Sequence, residues 1–399
     1  DLRTGRRTQG QELSRVLGAS TTYAHCRKYL QDWTAAEYNI VVNRIASGLS
    51  VLFVNGRLPA NSPVIGEIQK AALSTSGDTL FISGDNLIAA WVSEMPASFE
   101  FSDAVSADHF ASSATIDLGH VRLIDHVWDL LDTLSDTIAE NFTIDTGGYN
   151  IFERPHTEIH ATAVLENGES IFIDEGSVVR AGAVLNASGG PIFIGKNVTV
   201  FENCVITGPA VIGDGSQIRI NANIKNVAIG PVCKIGGEVH DSIIHSYSSK
   251  VHDGFLGHSY LGRWCNLGAG TNNSNLRNDY GPVAAINTTT GLFEQTDRQF
   301  LGLIMGDHSK CAIGTTFNTG TTIGVSCNLY GAGFHPRYVP SFMWGTPPER
   351  YVDYRLDKAL EVARIVMARR NKELSDVETS ILMQVFQDTQ ALRKGGIRT

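Results

Sequence analysis

The chain has 399 residues, 42% of them hydrophobic and 18% charged, with a formal net charge of −9. That length allows two or three domains with large buried cores, and the mild, diffuse acidity argues against nucleic acid or an anionic membrane as partner. No run of about 18 apolar residues occurs, so no segment is expected to span a bilayer.

The sequence opens on Asp1, and DLRTGRRTQGQELSRVLG is expected to be the interior of a longer polypeptide. Through residue 150 the texture mixes strands with helices. VLFVNG (51–56) and TLFIS (79–83) are short apolar runs bounded by turn residues, which suits buried strands. VRLIDHVWDLLDTLSDTIAENF predicts one amphipathic helix, with Leu123, Val127, Leu130, Leu131 and Leu134 near helical spacing. These elements predict a small α/β domain over 1–150. A phosphate-binding loop needs several glycines beside a Lys or Arg, and RTGRR (3–7) offers one. Asp85, in SGDN, is a candidate metal ligand, although Gly-Asp after a strand is also ordinary turn chemistry.

From residue 192 a six-residue period takes over. Ile194, Val200, Ile206, Ile212, Ile218 and Ile224 stand six apart, and Val198, Cys204, Ala210, Ser216, Ala222 and Ala228 follow each by four. An aliphatic and then a small residue at period six is the signature of a hexapeptide β-helix, in which three short faces close a coil of about 18 residues. The aliphatic fills the interior, and the small residue sits at a crowded corner. Gly195, Gly213 and Gly230 are expected where the chain turns. The period slips at Ile229 and Ile235, blurs over 240–255, and resumes at Leu261, Leu267 and Ile323, so the coil is assigned to 151–345. NNSNLRNDYGPVAAINTTTGLFEQTDRQF breaks the period and predicts an arm leaving the coil.

The six cysteines form no CxxC pair. Cys204, Cys233, Cys265 and Cys327 fall at corner positions as small hydrophobes, while Cys26 and Cys311 stand apart. Unpaired, scattered cysteines fit a reducing cytoplasm. Beyond the Pro347-Pro348 pair and Trp344, RLDKALEVARIVMARRNKEL and a Ser375–Glu378 capping box predict helices over 346–399 that cap the last coil.

One stretch of the coil, GHSYLGRWCNLGAGTNNSN (257–275), is rich in glycine and asparagine around a single imidazole. His258 lies at a turn, and an imidazole has an intrinsic pKa near 6.5, suited to taking a proton at neutral pH. Asn266 and Asn275 bring donors and acceptors suited to sugar hydroxyls and an amide, although Asn also fills left-handed turns in such coils. Lys225, Lys234, Lys250 and Arg219 are candidates for holding a sugar phosphate.

GHSYLG followed by NLGAGT resembles the acetyltransferase half of the GlmU family, bifunctional N-acetylglucosamine-1-phosphate uridylyltransferases and glucosamine-1-phosphate acetyltransferases. SIIHSYSSKVHDGFLGHSYLG and GLIMGDHSKCAIGTTFNTGT are similar to a GlmU-like, Bacteroidetes-type branch of sugar nucleotidyltransferases. The resemblance implies a nucleotidyltransferase-like α/β domain followed by a left-handed parallel β-helix, and a homotrimer with acetyl sites between subunits. It implies that His258 is the general base and that Tyr260, Asn266 and Asn275 bind substrate. Leu276 stands where the family has a Tyr. Arg3 is the one trace of the nucleotide-binding turn. Acetyl-CoA would be the co-substrate, with a nucleoside triphosphate and Mg2+ in the N-terminal domain.

The sequence therefore predicts a cytoplasmic sugar-phosphate acyltransferase fused to a nucleotidyltransferase-like domain, in UDP-N-acetylglucosamine supply for the cell envelope. Two readings compete with it. A γ-type carbonic anhydrase would use zinc on His240, His245, His252 or His258. A non-catalytic sugar-nucleotide-binding scaffold would bind without turnover.

Overall fold

The computed structural model describes residues 2–75, 77–102, 104–110, 114–147, 157–347 and 350–394. Two compact units emerge. One is built mainly from residues 7–125 and includes 375–381; the other is built mainly from 126–374 and includes 3–6 and the chain from Leu382. Among the described residues no helix is long and apolar enough to cross a membrane.

The first unit holds a four-stranded sheet in the order Val51–Val54, Asn86–Val92, Thr79–Ser83 and Ala114–Asp117. The first three are antiparallel and the last pair is parallel. The helices Gln9–Leu17 and Val64–Ser74 contribute Leu13, Ile65 and Ile68 to a core shared with Phe81 and Ile88 from the sheet. Both expected strands are present. Gly84 (φ 54°) and Asp85 form the tight turn between two strands, and that turn accounts for the Gly-Asp pair without a metal.

In the second unit the six-residue period becomes three flat faces of a parallel β-helix. Ile194, Ile212, Ile229 and Ile244 stand in register on successive coils of one face. Val200, Ile218, Ile235 and Lys250 do so on another, and Ile206, Ile224, Val239 and Leu256 on the third. All twelve are buried. The coil is 18 residues long from Ile194 to Ile212, 17 to Ile229 and 15 to Ile244. The period blurs beyond 229 because coils shed corner residues, while the stacking continues unbroken. The glycines 195, 213 and 230 serve close approach rather than left-handed turns: a Cβ on Gly213 would lie 2.6 Å from the carbonyl carbon of Gly230 on the next coil. All four corner cysteines are buried, and burial pushes the Cys204 and Cys233 thiols up to about 11 and about 12.

The helix drawn over 121–142 is two helices, Asp129–Asp132 and Leu134–Thr146. Leu123 packs in the core of the first unit, whereas Trp128 packs with Val283, Ala285 and Leu301 in the second. The division between units therefore lies near residue 125, and the expected boundary at 150 falls outside the described residues. At the far end, an antiparallel strand, Arg350–Asp353, covers the edge strand Met343–Thr346. The helix Leu356–Ala368 and the chain beyond it pack around Phe342, and the Ser375–Glu378 capping box forms. Of the proline pair, Pro348 lies outside the described residues.

Of the arm expected over 272–300, Asn272–Asn273 still pair with Thr316–Phe317, and the chain leaves the lattice beyond them. It forms an antiparallel hairpin, Ala284–Asn287 with Leu292–Gln295, and returns at Leu303–Met305 to pair with Tyr260–Leu261.

Ile212 is fully buried between Ile194 and Ile229. An unpaired carboxylate there has no partner and costs several kcal/mol. Ile212→Asp should lose the cooperative thermal transition in circular dichroism; a folded, soluble variant would overturn the interior assignment.

Candidate active site

One corner of the coil carries Asn226, Asp241 and His258 on three successive turns, all in the left-handed region at φ 48°, 49° and 47°. Asn and Asp tolerate this conformation through local hydrogen bonding, whereas an imidazole there is uncommon. The three side chains form a linked column. Ser135 Oγ donates to Asn226 Oδ1 at 3.0 Å, and Asn226 Nδ2 donates to Asp241 Oδ1 at 2.8 Å. The other Asp241 oxygen, Oδ2, lies 3.8 Å from His258 Nε2. On the opposite side of the ring, Asn275 Nδ2 is 2.9 Å from His258 Nδ1.

The arm supplies the facing wall. Leu276 bridges to Phe300, and the Phe300 ring stacks on His258 with centroids 5.0 Å apart and planes 22° apart. Gly302 then re-enters the coil, its amide donating to the His258 carbonyl at 2.8 Å, and a Cβ there would collide with the Gly257 carbonyl and the Ser259 and Asn273 side chains. Arg298 is fixed by Asp129 at 2.7 Å and Asp132 at 2.5 Å. Together these groups enclose a cleft of about 260 Å³, lined by Leu131, Asp132, Asn226, Asp241, His258, Arg298, Gln299 and Phe300.

Partial burial pushes the His258 imidazole below its ordinary value, the Asp241 carboxylate pulls it back up, and His240 adds to the lowering. The net lowering favours the neutral ring, the form able to accept a proton. With the Asn275 amide nitrogen toward Nδ1, the ring proton sits on Nε2. A half-turn of that amide presents its oxygen to Nδ1–H and frees the Nε2 lone pair beside Asp241.

The structure brings together only part of the residue set expected from sequence. His258 and Asn275 are in direct contact. Lys225 is exposed two coils before, in register with His240 and then Gly257. Asn266 and Lys234 lie on a different face, in the sheet through Gln217 and Ser249. Tyr260 is buried, its hydroxyl accepting the Arg3 amide at 2.9 Å, and that burial raises the phenol well above its usual range. It cannot meet a substrate in this arrangement. Lys250 occupies an interior aliphatic column, where its Nζ donates to Gly236 O at 2.9 Å and His252 O at 3.0 Å, and burial brings it down to about 8. Arg3 is also buried, its guanidinium donating to the carbonyls of Gly5 and Arg6, so the nucleotide role expected of it has no support here. The histidines of the zinc reading do not converge: His245 is buried and held near pKa 2 by burial and neighbouring arginines. Among the described residues no group of three or more His, Cys, Asp or Glu could hold a metal ion.

Residues 1–149 match the family model described as sugar nucleotidyl transferase. The bifunctional protein GlmU of Methanocaldococcus jannaschii is 37% identical over 90 residues, covering 23% of this chain and 21% of that protein. The GlmU of Aromatoleum aromaticum is 26% identical over 210 residues, covering 43% and 42%. Over these stretches the chain is similar to GlmU proteins. It nevertheless spans less than half the length of these curated relatives. Among solved structures, LpxA from Acinetobacter baumannii aligns with 51% of this chain and 77% of its own at 13% identity and a TM-score of 0.30.

Sequence reasoning missed Asp241, Arg298 and Phe300. Asp241 follows Asn226 by 15 residues and precedes His258 by 17, the lengths of shortened coils that only the structure reveals. In Asp241→Asn the raising influence of the carboxylate is gone, so the His258 pKa should fall further below the ordinary imidazole value. An NMR titration of the imidazole checks this; an unchanged midpoint would mean that the carboxylate does not act on the ring.

Proposed function

We propose that the β-helical unit transfers an acetyl group from acetyl-CoA to the amine of an amino-sugar 1-phosphate, with His258 as general base. The observation that carries this reading is an imidazole facing an open cleft, braced on Nδ1 by Asn275 and flanked at Nε2 by Asp241. As the amine nitrogen attacks the thioester carbonyl, the C–N bond forms and the C–S bond breaks. With the Asn275 amide turned so that its oxygen accepts from Nδ1–H, Nε2 takes the amine proton and passes it to the departing thiolate, which leaves as free CoA thiol. Asp241 favours the imidazolium formed in that step, and Asn275 keeps the ring from rotating.

The match of residues 1–149 to the sugar nucleotidyl transferase model supports a second, nucleotide-transferring half. Such chemistry uses a nucleoside triphosphate and Mg2+, but the residues described in the first unit form no acidic cluster that fits the cation. We place the protein in the cytoplasm, in supply of UDP-N-acetylglucosamine for the envelope.

Purified protein with acetyl-CoA and glucosamine 1-phosphate should release free thiol. His258→Ala should lower kcat/KM by roughly 100-fold or more, the usual worth of positioned proton transfer. Because the folded pKa lies below the ordinary value, the wild-type rate should hold to mildly acidic pH and fall only below it, and the variant should lack that limb. Unchanged kcat/KM in the variant would remove His258 from the chemistry. Binding of both compounds without turnover would favour the scaffold reading.

The coil exposes aliphatics, Val205, Ile220 and Ile313 among them, that suit side-by-side packing of copies. A homotrimer of 43.2 kDa subunits is proposed. Light scattering should give about three times the chain mass, and a monomer at micromolar concentration would count against sites shared between subunits.

A further inference from the structure

The face of the coil whose interior holds Val200, Ile218 and Ile235 carries an outward column on successive turns: Gln217, Lys234, Ser249, Asn266 and Lys310. Neighbouring rungs of a parallel sheet lie about 4.8 Å apart, so the column is a compact polar strip. Two guanidinium groups bracket Lys234 within it. Arg219 lies over the Phe201 ring at 4.5 Å and reaches Gln217 Oε1 at 3.4 Å, one rung before Lys234. Arg370, just beyond the helix Leu356–Ala368, reaches Ser249 Oγ at 3.5 Å, one rung after. Arg369 is the next residue along and adds its charge.

Several other cations of this unit sit beside carboxylates: Lys196 with Glu175, Arg277 with Asp279, Arg298 with Asp129 and Asp132. Among the described residues Arg219, Lys234, Arg369 and Arg370 make no such pair. Burial first, then the three arginines, lower the Lys234 ammonium, and no carboxylate opposes them. A helix C-terminus accounts for a preference for Arg369 and Arg370 at their positions, but not for Arg219 and Lys234 on the coil beside them. A chain of net charge −9 that gathers four unneutralised cations here keeps a site open for an anion.

We propose that this strip binds a phosphoryl anion, with Arg219, Lys234 and Arg370 as charged donors and Ser249 and Asn266 as neutral ones. Two planar forks approaching from opposite sides of an ammonium suit a tetrahedral group with several acceptor oxygens better than a carboxylate with two. The anion has two sources, the nucleotide part of an acyl donor or a sugar 1-phosphate. The site lies apart from the His258 corner, and its existence does not depend on the acyl-transfer reading.

Calorimetry of the full chain at low salt, with pyrophosphate, CoA and glucosamine 1-phosphate as separate probes, tests it. At least one probe should bind, and Lys234→Gln and Arg370→Gln should each weaken that binding by roughly tenfold or more, as loss of a charged hydrogen bond does. Which of CoA and glucosamine 1-phosphate responds identifies the source. Lys196→Gln should bind as wild type, and all three variants should keep the wild-type melting temperature because their side chains lie outside the coil interior. The proposal is overturned if no probe binds at millimolar concentration, if both strip variants bind like wild type, or if Lys196→Gln weakens binding as much as they do.

Discussion

The vertical register of interior aliphatics is the constraint on which the rest depends. Each isoleucine in the Ile194–Ile244 column is buried by the coil above and the coil below, contributing about 1.5–3 kcal/mol. A coil cannot slide by one residue without turning a whole face outward. Once that register is fixed, every corner and every outward position also falls into a column. The fold therefore sets side chains far apart in sequence at nearly fixed spacing, without any loop having to hold them.

The candidate active site uses that lattice for one half and departs from it for the other. Asn226, Asp241 and His258 are lattice corners, and their chain of contacts runs along the helix axis. Phe300 and Arg298 come from the arm, which is held by charge to Asp129 and Asp132 and by Trp128 packing on Val283, Ala285 and Leu301. A rigid imidazole thus faces a wall with its own small core. This division suits a reaction in which the base must be fixed while the substrate-facing wall is matched to the acceptor.

The coil was legible from sequence because period six repeats through Ile224 with both the aliphatic and the small positions obeyed. It became illegible where coils shortened to 17 and 15 residues, since a fixed clock cannot track corners that lose residues. That is why Lys250, read as a surface cation, turns out to follow Ile235 in an interior column, and why Tyr260 lies buried rather than in the cleft. His258 and Asn275 were legible through local motif and side-chain chemistry. Asp241 was not, because a lone acid gains meaning only when coil length places it beneath the histidine. The helix over 121–142 failed for another reason: apolar spacing alone does not reveal that Leu123 and Trp128 serve different cores.

The arm leaves the coil after Asn273 and returns at Gly302, and the two points of departure and re-entry are already tied together. Gly257 and Asn273 exchange hydrogen bonds, and Gly302 bonds to His258. The lattice on either side is closed by the Asn273 side chain and the Gly302 amide, as though the hairpin were a graft on an intact stem. Insertions or deletions in the hairpin are thereby uncoupled from the register that holds the imidazole. The hairpin tip can therefore change in length or sequence while Asn275 and Phe300, at the arm's two ends, stay against His258.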